Sequence, residues 1–211
     1  MIFYSTTGNT YELAKVIADG CRLEGAEVDI RRFPETMSDE ALKKWGITNA
    51  GLNELFKEVP VIGDQKEFAS YDAYFFGTPT FSCTIAPQIG YYFSTLGDIW
   101  MTAACEGKLF SVFSSVSEQQ GGGDTSKLDL MGTVLNLGML FVGFPPSFEG
   151  LTTTTKIHGV SKLGAGTISG GKKDDKKPNE LEEKAARYAG QHLAKLTKKM
   201  FQTEINENSK K

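Results

Sequence analysis

Ile2-Phe3-Tyr4-Ser5-Thr6-Thr7-Gly8-Asn9-Thr10, followed by Leu13, Val16, Ile17 and Cys21, is the stretch on which the fold turns. A short apolar run enters a turn of hydroxyl residues around one glycine, and the apolar positions that follow recur at helical spacing. The order is strand, loop, helix. In such a unit the unbonded backbone N–H groups and the positive end of the helix dipole meet in the loop, where a phosphate fits. The hydroxyls of Ser5, Thr7 and Thr10 can donate to its oxygens, Gly8 lets the backbone come close, and Asn9 tolerates a left-handed turn. Thr6 completes the loop, and no lysine is required. The segment carries neither the Gly-Lys-Ser/Thr of a nucleotide-hydrolysing phosphate loop nor the three spaced glycines of a dinucleotide fingerprint. An ordinary capped helix start is the plainer alternative, because Ser and Thr favour that position anyway.

Outward from this unit, Val28 and Ile30 alternate with Glu27, Asp29 and Arg31, the period of a strand solvated on one side. The second strand therefore belongs at a sheet edge. Residues 71–76 and 109–113 are near-continuous apolar runs entering Gly/Pro/Ser/Thr loops, as strands buried on both faces do. Pro87 opens a helix that carries Ile89, Tyr92, Phe93 and Leu96. Asp124 or Thr125 caps another, whose stripe of Leu128, Met131, Val134 and Leu135 ends at Gly138. Residues 139–144 read as a fifth strand. Five strands separated by helices predict an α/β fold: a doubly wound five-stranded parallel sheet with right-handed crossovers, helices on both faces and ligands at the carboxyl ends of the strands. Asn179 and Glu182 resemble a capping box for the last helix, with Glu180 and Glu183 early and Lys195, Lys198 and Lys199 late. Residues 38–66 and 145–177 fit no regular element, the mark of a functional or disordered loop. Within the second, residues 172–177 read as a solvated loop of Lys and Asp pairs. Residues 1–211 form a single domain on this reading.

Composition narrows the function. Hydrophobic residues at 40% and charged residues at 23% leave ample material for a core. A net charge of −3 offers no surplus of Lys and Arg for a phosphate backbone, so no nucleic-acid partner is expected. The apolar runs fall far short of the ~20 residues of a membrane helix, and no secretory leader precedes the first strand, so a cytoplasmic address is expected. Cys21, Cys83 and Cys105 are odd in number and scattered, which reads as reduced thiols. His158 and His192 are the only histidines, too few for a multi-histidine metal site, and no metal is expected.

Two more loops open on the same edge as the first. Gly77-Thr78-Pro79-Thr80-Phe81 follows the third strand, and residues 114–123 follow the fourth. Three loops then surround one crevice, where Phe81 and exposed backbone amides could flank a flat heterocycle. Taken singly, each loop also reads as a tight turn.

The residues now bring a family into view. The phosphate loop resembles the flavodoxin pattern, and a longer set resembles the WrbA-type NAD(P)H:quinone oxidoreductases: Gly25-Ala26-Glu27-Val28, Pro34-Glu35-Thr36-Met37, Gly77-Thr78-Pro79-Thr80, Ser111-Val112-Phe113-Ser114-Ser115, and Ala186-Arg187-Tyr188. Thr167-Ile168-Ser169-Gly170-Gly171 is similar to the family's glycine turn before the last helix. The resemblance implies a flavodoxin-like sheet of order 2-1-3-4-5, FMN bound non-covalently, a homotetramer or homodimer, and two-electron reduction of quinones by NAD(P)H at one site used alternately. It assigns the phosphate to Ser5, Thr6, Thr7, Gly8, Asn9 and Thr10, and the isoalloxazine border to Pro79, Thr80, Phe81 and Ser82. Backbone contacts to the pyrimidine edge fall to Ser115, Val116, Ser117, Gln119, Gln120 and Gly121. Trp100 matches a family tryptophan of the substrate pocket, contributed across a subunit boundary, with plain core packing as the alternative.

The chain departs from the family in three places. Thr80-Phe81-Ser82-Cys83-Thr84 stands where the family has Thr-Arg-Phe-Gly-Asn, so an arginine is missing. Ser117-Glu118-Gln119-Gln120 replaces a Gly/Thr-rich stretch. Asn136-Leu137-Gly138-Met139 replaces His-His-Gly-Met, so Asn136 would serve in place of an imidazole facing the flavin. The first strand begins almost at Met1, as if the numbered chain starts inside the domain. A flavodoxin-type electron carrier and an FMN-binding redox sensor without turnover are the competing readings; the carrier would profit from a strong acidic face, for which −3 is weak. No residue is expected to act as a covalent nucleophile or obligatory acid, because the cofactor carries the chemistry.

Overall fold

A computed structural model describes residues 1–170 and 178–208, the side chains as far as residue 201. Strands β1 (Ile2–Phe3), β2 (Arg31–Arg32), β3 (Ala73–Pro79) and β4 (Leu109–Val116) pair in parallel in the order β2-β1-β3-β4. The outer edge of β4 is shared by two short strands. β5 (Leu140–Phe141) lies against Leu109 and Phe110, and β6 (Gly164–Ile168) against residues 112–116. The predicted order 2-1-3-4-5 is therefore the observed one, with its fifth lane built in two pieces.

Side-chain alternation along the strands divides the core in two. Phe3, Phe75, Leu109 and Phe113 face α1 (Asn9–Leu23) and α8 (Glu180–Asn208), with Leu42 of α2 (Asp39–Lys43) and Leu52 of α3 (Asn49–Leu55). Ile2, Tyr74, Phe76, Phe110 and Val112 face the other layer: α4 (Gln65–Ala69), α5 (Pro87–Ser94), α6 (Gly97–Met101) and α7 (Gly123–Leu135). Helices α1 and α8 cross closely because Gly20 and Gly190 meet there. A Cβ on Gly20 would stand 2.1 Å from the Arg187 carbonyl oxygen, and one on Gly190 2.1 Å from that of Ile17.

Several expectations need correction. The alternating residues 27–31 lie one step ahead of the strand: β2 is confined to Arg31 and Arg32 because β1 offers only Ile2 and Phe3 as partners. Residues 139–144 supply only two strand residues, after which the chain leaves the sheet and returns as β6. The segments 38–66 and 145–177 contain regular structure after all: α2, α3 and the first residues of α4 in one, a 3-10 turn at Glu149–Thr152 and β6 in the other. Neither Asp124 nor Thr125 caps α7. Gly122 does, in the left-handed region at φ 85° and without a side-chain bond, and the buried face is Ser126, Lys127, Leu130 and Val134, with Leu128 and Leu135 exposed. The error arose because a fully buried lysine does not register as an apolar position.

The capping box of α8 is present. Asn179 Oδ1 accepts from the N–H groups of Leu181 and Glu182, and the Glu182 carboxylate accepts from the Asn179 N–H. Gly171 of the glycine turn and the loop 172–177 lie outside the described residues.

Candidate functional site

Strand β1 delivers the chain to Ser5, and α1 begins four residues later. Gly8 takes the N-cap position of α1 in the left-handed region, φ 94°, and no side chain caps the helix. By contrast Ser38, Thr48, Asp64 and Asn179 cap α2, α3, α4 and α8 with side-chain oxygens. The uncapped first turn of α1 leaves its donors pointing out of the carboxyl edge of the sheet. Around them, Ser5 Oγ accepts from the Gly8 N–H at 3.0 Å and keeps its own proton to donate. Thr7 is exposed, and its Oγ1 accepts from Asn9 Nδ2 at 3.2 Å. Thr10 is 1% exposed, and its hydroxyl oxygen has no partner; Asn9 Oδ1 is likewise buried and unpartnered. A buried hydroxyl left unbonded is costly, and native folds satisfy such groups with a ligand or ordered water.

The second and third loops meet beside the first. Thr80 donates its N–H to the Ser115 carbonyl at 3.0 Å, and Ser126 Oγ donates to Thr80 Oγ1 at 3.0 Å. Phe81 and Thr84 exchange both backbone bonds across a two-residue turn whose residues, Ser82 and Cys83, hold positive φ of 49° and 64°. Gln120 in the third loop also has positive φ, at 61°. Non-glycine residues in that region cost free energy and gather at ligand sites, where the surrounding structure holds them. Here the surrounding structure is visible: a Cβ on Gly122 would stand 2.8 Å from Cys83 Cα, so the two loops lock together. Helix α7, like α1, starts from an uncapped left-handed glycine. The Ser169 N–H donates to the Val116 carbonyl at 2.8 Å, which brings the turn after β6 to the same edge.

The structure thus gathers Ser5, Thr6, Thr7, Gly8, Asn9, Thr10, Pro79, Thr80, Phe81, Ser82, Ser115, Val116, Ser117, Gln119, Gln120 and Gly121 along the carboxyl ends of β1, β3 and β4. It does not bring Asn136 or Trp100 there. Asn136 ends α7, whose 13 residues run ~20 Å back to the amino edge, where the next residues meet the start of β4 through the Gly107 N–H and the Gly138 carbonyl. Trp100 lies on α6, also on the amino side, and is 57% exposed. A cavity of about 570 Å³ opens at that amino edge, between Met1, Asp29, Tyr71, Ala73, Leu193 and Phe201, away from the three loops.

Sequence reasoning missed three features. Tyr4 donates to the Glu35 carboxylate, and fully buried Gln88 donates to both, at 2.9 Å to the Tyr4 oxygen and 2.7 Å to Glu35, joining the ends of β1 and β2 to α5. Burial, with the bond to Glu35, pushes the Tyr4 phenol well above its usual range. Buried Lys127 bonds Asp124 at 3.0 Å and Ser161 Oγ at 2.8 Å, and burial lowers its pKa against the pull of Asp124. The i,i+3 spacing of that pair was the one available signal. Third, Trp45 leans on Phe81 with ring centroids 5.1 Å apart. Among the described residues no helix is long and apolar enough to cross a membrane.

No family model matches the chain. A curated protein of Methanosarcina barkeri named NAD(P)H dehydrogenase (quinone) is 39% identical over 205 residues, covering 95% of this chain and 97% of that protein. Proteins of the same name from Syntrophobacter fumaroxidans and Rhizobium rhizogenes are 38% and 35% identical, each over 95% of this chain and 97% and 96% of theirs. Among solved structures, a WrbA-like flavodoxin from Agrobacterium tumefaciens superposes with a TM-score of 0.63 at 15% identity, over 94% of this chain and 95% of that one. A flavodoxin from the domain Archaea gives 0.58 at 16%, over 93% and 96%. These structural likenesses carry the fold, which is flavodoxin-like.

Proposed function

We propose a function from one premise: this chain belongs to the family of the NAD(P)H dehydrogenases (quinone), at 39% identity over nearly its whole length. It reduces quinones to hydroquinones with NAD(P)H, using FMN seated on residues 5–10. The observation that carries the cofactor is the buried, unpartnered hydroxyl of Thr10 beside the uncapped start of α1. The residues present fit a phosphate ester: neutral donors, an inward hydroxyl without a partner, and a glycine that keeps the backbone low.

When bound, FMN supplies the two-electron chemistry that links the nicotinamide to the quinone. The chain's own residues hold and polarise. Thr10, Ser5 and Thr7 donate to the phosphate, with the first-turn amides of α1 behind them. The loop 115–121 presents amides to the pyrimidine edge, where preorganised donors stabilise negative charge gained on reduction. Thr80 and Phe81 border the ring, and Ser126 holds Thr80 in place.

The assembly is a homotetramer or homodimer on this reading. Tyr91, Trp100, Met101, Leu128 and Leu135 are exposed on α5, α6 and α7, apolar residues on the helical layer opposite α1 and α8, of the kind that mark protein contacts. From the amino edge, Trp100 and Asn136 could reach a crevice only in a neighbouring subunit. The cytoplasmic address is part of the same proposal, and the free thiols Cys21, Cys83 and Cys105 fit a reducing compartment.

The test is the absorbance spectrum of the purified protein loaded with FMN, followed by NAD(P)H and benzoquinone. Stoichiometric flavin and steady oxidation of NAD(P)H are expected. Flavin without turnover would leave an electron carrier or sensor, and failure to bind flavin would remove the reading altogether.

A further inference from the structure

Residues 38–47 carry a tryptophan to the loop after β3 along a hydrogen-bonded path. Ser38 Oγ caps α2 by accepting from the Ala41 N–H at 3.3 Å, and Leu42, 1% exposed, anchors the helix in the core. The Leu42 carbonyl then accepts from both the Trp45 and Ile47 N–H groups, at 2.9 and 3.1 Å, around Gly46 in the left-handed region at φ 71°. Asp39 Oδ1 closes the segment by accepting from the Asn49 N–H at 3.1 Å. The backbone of Trp45 is thus fixed on both sides, yet the residue remains 58% exposed.

The indole rests on Phe81 at 5.1 Å, and Phe81 lies 6.4 Å from buried Tyr4. Three rings therefore run in a row from the buried end of β1 to the surface, along one side of the loops that would border the isoalloxazine. Phe81 is itself held by the paired turn to Thr84, whose Oγ1 donates to Asp129 at 2.6 Å. A half-exposed indole on a hydrogen-bonded backbone, beside the loops proposed to border the ring system, is a surface on which a flat molecule can stack.

We infer that Trp45 is a specificity-determining residue: its indole, backed by Phe81, is the outer platform on which flat quinones stack, and it favours fused-ring over single-ring acceptors. The inference rests on the proposed function and deepens it. A naphthoquinone offers two rings to the indole where a benzoquinone offers one, so loss of the platform should penalise the former selectively.

The experiment compares the FMN-loaded protein with its Trp45→Ala and Trp45→Phe variants on menadione and 1,4-benzoquinone. Trp45→Ala is expected to lower kcat/KM for menadione about tenfold, chiefly through KM, and for benzoquinone less than about threefold. Trp45→Phe should restore most of the loss, and FMN affinity by flavin fluorescence should stay within about threefold of the parent. A second readout needs no turnover. The chain has two tryptophans, so in a Trp100→Phe background the emission of Trp45 reports alone, and menadione without NAD(P)H should quench it saturably. A menadione-to-benzoquinone ratio unchanged in Trp45→Ala, or emission indifferent to menadione, overturns the inference and leaves the quinone reductase standing. A parent protein that binds no flavin or turns over neither quinone takes both down.

Discussion

Thr10 and Thr7 are alike in sequence and unlike in place. Thr7 is exposed and already accepts a bond, while Thr10 is buried with its oxygen unpartnered. Thr10→Val keeps the shape and removes the donor, so it should weaken FMN binding by ~1.5–3 kcal/mol, roughly 10- to 100-fold, in a flavin-fluorescence titration. The melting temperature of the flavin-free variant should not fall, since no bond within the chain is lost. Which of the loop's hydroxyls is orphaned was not legible in the sequence, because it depends on what α1 packs against.

At the scale of elements, the split fifth lane depends on one carboxylate. Glu182 is 1% exposed and accepts from the N–H groups of Gly159, Ile168 and Asn179 and from Thr167 Oγ1, each at 2.9 Å. It ties β6, the segment before it and the start of α8 together. Glu182→Ala leaves four donors unmatched in the interior and should cost about 3–5 kcal/mol, lowering the melting temperature by roughly 10 °C in a circular-dichroism melt. A change below about 2 °C would show that water replaces the carboxylate without loss. The box of Asn179 and Glu182 was legible because its signal spans four residues. Strand β6 was not, since Gly164-Ala165-Gly166-Thr167-Ile168 has neither bulk nor alternation. Its glycines are set by neighbours instead: a Cβ on Gly164 would stand 2.0 Å from the Val112 carbonyl oxygen.

For the whole molecule, the exposed apolar face opposite α1 and α8 carries the expectation of assembly. Met101 of α6 is 74% exposed and Leu135 of α7 44%. Replacing both with glutamate should shift a tetramer or dimer toward monomer in light scattering, while FMN binding persists because the phosphate loop lies at the other edge. A parent protein that already runs as a monomer would discard the assembly. By itself the sequence determined the parallel sheet and the hydroxyl-rich loop at the head of the first helix, because apolar period and turn chemistry are properties of neighbouring residues, while the strand order came from the family resemblance. Tertiary structure alone decided that Thr10 is the unpartnered hydroxyl, that Lys127 and Glu182 are buried, that Asn136 and Trp100 stand at the far edge, and that Trp45 reaches Phe81. Each of those rests on contacts between segments distant in the chain, where burial and partnering are settled by packing and not by the residue's own preference.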